Sequence, residues 1–198
     1  MDIEEFLSFY NSTFKPAYAD LVSYISDKPL QIIVEIENAF AHLCVYLDEK
    51  QFSDDREDNL KKAYSHIQRA TLDCYKLLWV KISEDIDSII KDSDKRKFTV
   101  NLPEEELLKK WKEFKQKASN ARSMELNKIG LNKIEDVVNA YQEMIAIGWE
   151  IVKNIDSVKE QEFRKLSIVS FIKKQWIGFV LGVASSLAAT MLINLFIT

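Results

Sequence analysis

The chain carries two histidines and two cysteines, so any catalytic or metal chemistry has few places to reside. His42 falls beside Phe40 and Leu43 on an apolar helical face, the usual setting of a hydrogen-bonded structural histidine. His66 belongs to a polar stripe, Lys62, His66, Arg69, Asp73 and Lys76, whose steps of four and three place the side chains on one helix face. Such a stripe reads as a solvated or ion-paired face, or as a contact surface for a cytosolic protein partner. Cys44 and Cys74 lie in apolar-periodic stretches, at no spacing typical of metal or redox sites, and are expected as buried free thiols. There is no glycine-rich phosphate loop, no His/Cys metal pattern and no nucleophile paired with a base. The expectation is a protein that is no enzyme and holds no metal or cofactor.

Lys109, Lys110, Lys112, Lys115 and Lys117 surround Trp111 and Phe114. A basic amphipathic helix of this kind suits anionic lipid or an acidic partner, and equally an outer helix with its lysines in water. The net charge of −4 makes nucleic acid an unlikely partner for the surface as a whole. Asn11-Ser12-Thr13 matches a glycosylation sequon, without consequence in a cytoplasmic domain.

The elements that must position these residues are helices. Four glycines and three prolines in 198 residues imply long helices and short loops. A first helix is expected from Ile3 to Ser26, bent near Pro16. A second opens at Pro29 and carries Ile32, Ile33, Ile36, Phe40, Leu43 and Leu47. A loop covers Asp48 to Ser53, and Asp54 with Glu57 forms an acidic capping box. The third helix is the most regular, with apolar residues at helical spacing from Leu60 to Ile89. The pattern breaks over Ser93 to Val100. Asn101 with Glu104 caps a helix on Leu107, Leu108, Trp111, Phe114 and Ala118, which Gly130 stops. Asn132 with Glu135 caps the last helix, which is expected to run on past Gly148 without interruption into the segment described next.

From Gln175 to Thr198 no residue is charged, although charged residues are 29% of the chain. As a helix this run is about 36 Å long, against a hydrocarbon core of about 30 Å. The fold class is therefore read as all-α: a cytoplasmic bundle of four or five helices over residues 1–165, a juxtamembrane segment over 166–174, and a C-terminal transmembrane helix over 175–198. Basic residues precede the run and none follows it, which keeps the bundle on the cytoplasmic side of the inner membrane. Lys173, Lys174 and Trp176 are its interface anchors. Gly178, Gly182, Ser185 and Ala189 share an arc of about 60°, a small-residue stripe suited to packing between spans. A neighbouring arc of Ser186, Thr190 and Asn194 offers a polar interhelical or pore-lining face, with Phe179 and Val183 as an apolar gate at its inner end.

The segment Ala63-Tyr-Ser-His-Ile-Gln-Arg-Ala-Thr-Leu-Asp-Cys-Tyr-Lys76, within an up-and-down helical domain, resembles HEPN-type bundles of prokaryotic defence and toxin systems. Joined to a membrane span, such a bundle further resembles the membrane accessory proteins of type VI-B CRISPR systems. The family's ribonuclease motif places a histidine a few residues after an arginine. Here no arginine precedes His42, and nine residues separate Arg56 from His66. The resemblance thus implies a HEPN-like domain without the nuclease centre. The expected function is that of a tail-anchored, homo-oligomeric effector of antiviral defence, in contact with membrane lipid, that permeabilises or depolarises the inner membrane when triggered. The alternative is a tether or adaptor whose bundle recruits a cytosolic partner.

Overall fold

The structure, a computed structural model, describes residues 2–48, 53–127 and 134–168, together with 176, 177, 179, 181–183, 185 and 186. Among these residues the architecture is all-helical, as the shortage of glycine and proline requires, with a lone antiparallel bridge between Val100 and Ile155. Two compact units are formed, the first by residues 1–91 and 102–154, the second by residues 92–101 and 155–198.

In the first unit, α1 (Ile3–Phe9) starts at Asp2, whose carboxylate accepts the Glu5 N–H at 2.8 Å. Pro16 is accommodated by a π-helical turn, Tyr10–Phe14, in which the Lys15 N–H reaches back to the Tyr10 carbonyl. Proline cannot donate to the helical ladder and crowds the preceding turn. The wider turn ahead of it lets the chain continue as α2 (Lys15–Ile25), with Pro16 in the first turn. Ser26 ends α2 in the left-handed region, φ 55°. Pro29 sits just outside α3 (Leu30–Leu47) rather than in its first turn, and its carbonyl accepts from Ile32 and Ile33.

The long helix α4 (Ser53–Ile90) is the axis of the unit. At 38 residues it is about 57 Å long. Leu60, Ala63, Ile67, Ala70, Cys74, Leu78, Ile82, Ile86 and Ile89 are all buried along it. On one flank α1 and α2 run alongside, through the Phe9–Tyr64 ring contact at 5.1 Å and the Tyr24 hydroxyl, which donates to Asp85 at 2.7 Å. On another, α3 runs antiparallel, with Glu35 facing His66 and His42 facing Asn59. α6 (Glu104–Asn127) is also antiparallel to α4, and α7 (Ile134–Val152) returns against both. Their seam is filled by Leu107, Trp111, Phe114, Ala118 and Ala121 from α6, and by Val137, Tyr141, Met144, Ile145 and Ile151 from α7.

Three expectations need correction. Of the α3 stripe, only Ile32 is buried; Ile36 and Leu43 are half-buried, and Ile33, Phe40 and Leu47 are exposed. An all-round apolar helix satisfies a stripe pattern on more than one face, so periodicity alone could not select the buried one. Second, α7 does not run on without interruption. It ends at Val152, and a new helix over 157–168, α8, starts at Asp156, whose carboxylate accepts the Val158 and Lys159 N–H groups. Third, α6 begins at Glu104 directly after Pro103, so Asn101 is not its cap; its amide oxygen instead accepts from Lys159 at 2.8 Å. The expected stop at Gly130 and cap at Asn132 lie outside the described residues.

In the second unit, residues 93–99 form a short helix, α5 (Ser93–Thr99), where the sequence pattern showed only a break. Asp92 caps it by accepting from Asp94 and Lys95. The Asp156 N–H donates to the Thr99 carbonyl at 2.8 Å, Lys95 pairs with Glu160 at 2.8 Å, and the Phe98 and Phe163 rings meet at 6.0 Å. Together these clasp α8 to α5.

Among the described residues, the helix long and apolar enough to cross a membrane is α3, not one at the C-terminus. The same test is passed by core helices of soluble proteins. Of the charge-free run, Trp176, Ile177, Phe179, Leu181, Gly182, Val183, Ser185 and Ser186 are described, each helical and exposed.

Gly148, read from the sequence as the one breaker in the last helix, sits inside α7 against Ile82 of α4 and Phe114 of α6. A Cβ there would lie 2.9 Å from Ile82 Cγ2 and 2.9 Å from Phe114 Cε2. Overpacking of this kind costs about 1–3 kcal/mol, against a helix-propensity gain of at most about 1 kcal/mol for alanine. Gly148→Ala should therefore lower the urea midpoint, by a net loss of up to about 2 kcal/mol. A raised midpoint would contradict the close approach.

Candidate functional site

Two residues of the polar stripe of α4 are engaged by other helices, His66 by α3 and Lys76 by α6. Lys62 pairs within α4 with Asp58. His66 Nδ1 lies 2.7 Å from Glu35 Oε2 on α3, a geometry in which the imidazole N–H donates to the carboxylate. One turn pair further on, Lys76 pairs with Asp73 at 2.7 Å and reaches Glu125 on α6 at 3.3 Å. Arg69 remains exposed between the two groups.

Around His66 the two histidines of the chain come together. Their rings stack with centroids 5.4 Å apart and planes 17° apart. His42 Nδ1 is 2.7 Å from Asn59 Oδ1, and the Asn59 amide N–H in turn donates to the Asp55 carbonyl at 2.6 Å, which orients the oxygen toward the ring. His42 is thus half-buried and hydrogen-bonded, as expected for a structural histidine, but it contacts another imidazole rather than a purely apolar face. A carboxylate–imidazole pair positions a general base only when a nucleophile or substrate meets the second ring nitrogen. The Glu35–His66 and His42–Asn59 bonds together latch α3 to α4.

The second group joins three helices. Glu125 on α6 accepts from the Tyr141 hydroxyl at 2.8 Å and from Arg122 at 3.0 Å, besides Lys76. Tyr141 is fully buried. Burial pushes the Glu125 carboxyl up, but the Tyr141 hydrogen bond and the Lys76 and Arg122 charges outweigh it, and the net shift is downward from the ordinary 4.5. Burial likewise opposes the charge on Lys76, and its two carboxylate partners overcome it, so its ammonium is held above the usual range. Beside this group Gln142 donates to the Tyr75 hydroxyl at 2.8 Å. Among the described residues no buried side-chain nitrogen or oxygen is left without a partner.

The thiols differ from each other. Cys74 is buried, and desolvation together with Asp73 pushes its pKa up to about 12, which leaves it an inert thiol. Cys44 is exposed, contrary to expectation, because it lies on the face of α3 turned away from α4. The basic helix is largely spoken for by its own bundle. Lys110 pairs with Glu150 and Lys117 with Glu143, each at 2.7 Å, while Lys115 lies 3.6 Å from Asp87 and 4.6 Å from the Trp111 ring centre. Trp111 and Phe114 are core residues.

At the C-terminus, Gly182 has no atom within 4 Å of the position a Cβ would take, and the Ser185 hydroxyl donates to the Gly182 carbonyl at 2.9 Å. Trp176, Phe179, Val183 and Ser186 are exposed on the helical segment. Lys173, Lys174, Gly178, Ala189, Thr190 and Asn194 lie outside the described residues.

Sequence reasoning missed Glu35, Asn59, Glu125 and Tyr141. Each is a single polar residue at an otherwise ordinary helical position, and no local spacing marks it. Among the described residues no group of three or more His, Cys, Asp or Glu side chains is placed to hold a metal ion.

The Glu125 network has a pH signature. A carboxyl with a lowered folded-state pKa stabilises the fold above its unfolded value and loses that contribution as pH falls through the folded value. Tyr141→Phe should cost about 1–3 kcal/mol at pH 7, the worth of a buried hydrogen bond to a charged group. The difference from wild type should shrink below the ordinary carboxyl value of 4.5. Urea titrations at pH 7 and pH 3.5 would show it; a cost independent of pH would mean that the hydroxyl does not hold the carboxylate. No family model matches the chain, and searches of curated proteins and of solved structures return no match.

Proposed function

We propose that the chain is a membrane-anchored effector whose helical bundle faces the cytoplasm and whose uncharged C-terminal run, residues 175–198, packs against its copies in the inner membrane. When triggered, the assembly permeabilises or depolarises that membrane. The observation that carries this reading is the absence of any charge from Gln175 to Thr198, at a length of about 36 Å as a helix. The exposed Trp176, Ile177, Phe179, Leu181 and Val183 support it, since an apolar helical surface of this size is stable only against lipid or other protein. Gly182, open on its Cβ side, suits close approach by a second helix, with Gly178 one turn before it in the sequence. The role in antiviral defence rests on the HEPN-like resemblance of the Ala63–Lys76 segment alone.

On this reading the bundle is a non-catalytic regulatory domain, and its histidines and charged networks hold the helices together. Gly178→Leu together with Gly182→Leu should abolish both toxicity on expression and conductance of reconstituted bilayers, while the protein still partitions into membrane. Unchanged conductance would refute packing through the glycines. A protein that never conducts, yet remains membrane-bound, would make residues 175–198 a plain anchor and the bundle a tether.

A further inference from the structure

We infer that the outer face of α3 is a pairing surface for a second copy of this chain, the two helices running antiparallel about a two-fold axis. Leu30, Glu37 and Cys44 recur at one heptad position, and Ile33, Phe40 and Leu47 at the other, so they form a seam along the whole helix. Leu30 is 75% exposed, Phe40 66% and Leu47 60%, and Cys44 is exposed as well. The opposite edge, Ile32 and Ala39, is buried in the bundle.

Three occupants of such a face differ in the chemistry they require. A helix lying on a bilayer carries cations on its polar side, whereas α3 has no lysine or arginine, and Glu37 sits in the middle of its apolar seam. Spanning the bilayer would strip α3 from α4, to which Ile32, Ala39, the Glu35–His66 pair and the His42–Asn59 pair bind it. A second copy meets the seam's own pattern. Antiparallel, Leu30 faces the partner's Leu47, Ile33 faces the partner's Cys44, and Glu37 lies beside the partner's Phe40. Every layer then has an apolar member. A parallel pair would set Glu37 against the partner's Glu37, like charges at the centre of the seam.

The ends of the helix select the same direction. The N-terminus of α3 is the positive end of its helix dipole and the C-terminus the negative end. Antiparallel pairing sets each end beside the partner's opposite one, whereas a parallel pair would set like ends together. The inference rests on the bundle alone and stands whether or not residues 175–198 assemble. A single pair of helices meeting over 18 residues, about 27 Å, is a small contact, so the pair exchanges and must be trapped.

Ile33→Cys in the full chain, held in nanodiscs and oxidised mildly, should give a disulfide-linked dimer through the native Cys44 in several-fold greater yield than wild type. The two positions are about 16 Å apart within one helix, too far for a bond inside a chain, and Cys74 is buried. The bond should vanish in Ile33→Cys/Cys44→Ser. Leu30→Cys/Leu47→Cys/Cys44→Ser provides a second crosslink at the ends of the same register. Absence of both dimers, or equal yield from Ile33→Cys/Cys44→Ser, would overturn the pairing. So would monomers whose Cys44 becomes shielded from a polar maleimide only when lipid is added, because lipid would then be the occupant.

Discussion

A 38-residue helix with an apolar stripe from Leu60 to Ile89 must be covered by more than one neighbour, because most helices are far shorter. This constraint on α4 organises the first unit. Residues before it supply α1, α2 and α3, and residues after it supply α6 and α7. Small residues set how near the neighbours come. Ala63 and Ala70 are wholly buried on α4, as is Ala121 on α6, and Gly148 on α7 leaves room for Ile82 and Phe114. The cover is uneven, though. α6 and α7 bury broad faces, whereas α3 buries Ile32 and Ala39 and leaves most of its apolar surface outside.

Polar residues in this bundle are consumed by fastening helices. The stacked histidines with Glu35 and Asn59 tie α3 to α4, and Glu125 with Lys76, Arg122 and Tyr141 ties α4, α6 and α7. Such groups are costly to bury singly and tolerable in complete sets, which also fixes one register between the helices.

The helices and the α4 stripe were legible because helical period is local, whereas the cap expected at Asn101 was not found. Of the apolar residues that spacing marked on α6, Leu107, Trp111, Phe114 and Ala118 are core, and Leu108 is exposed. Partners across helices were not legible. Glu35 and Glu125 look like any surface glutamate until the fold places an imidazole or a phenol beside them. The break after Val152 was missed because Asp156 acts as a cap only once its N–H is held by the Thr99 carbonyl, a contact distant in sequence. α3 misled for a third reason: a helix apolar on two sides gives no periodicity that separates core from exposed seam, and Cys44 was misplaced with it.

The proposed function requires that residues 175–198 bring copies together in a bilayer. The direct measurement is the mass of the full-length protein in nanodiscs, set beside a chain ending before Gln175. The account predicts a discrete assembly of several subunits for the full chain, and at most a dimer for the shortened one. A full chain that remains a monomer or dimer, with the same mass as its shortened form once lipid is subtracted, would contradict it.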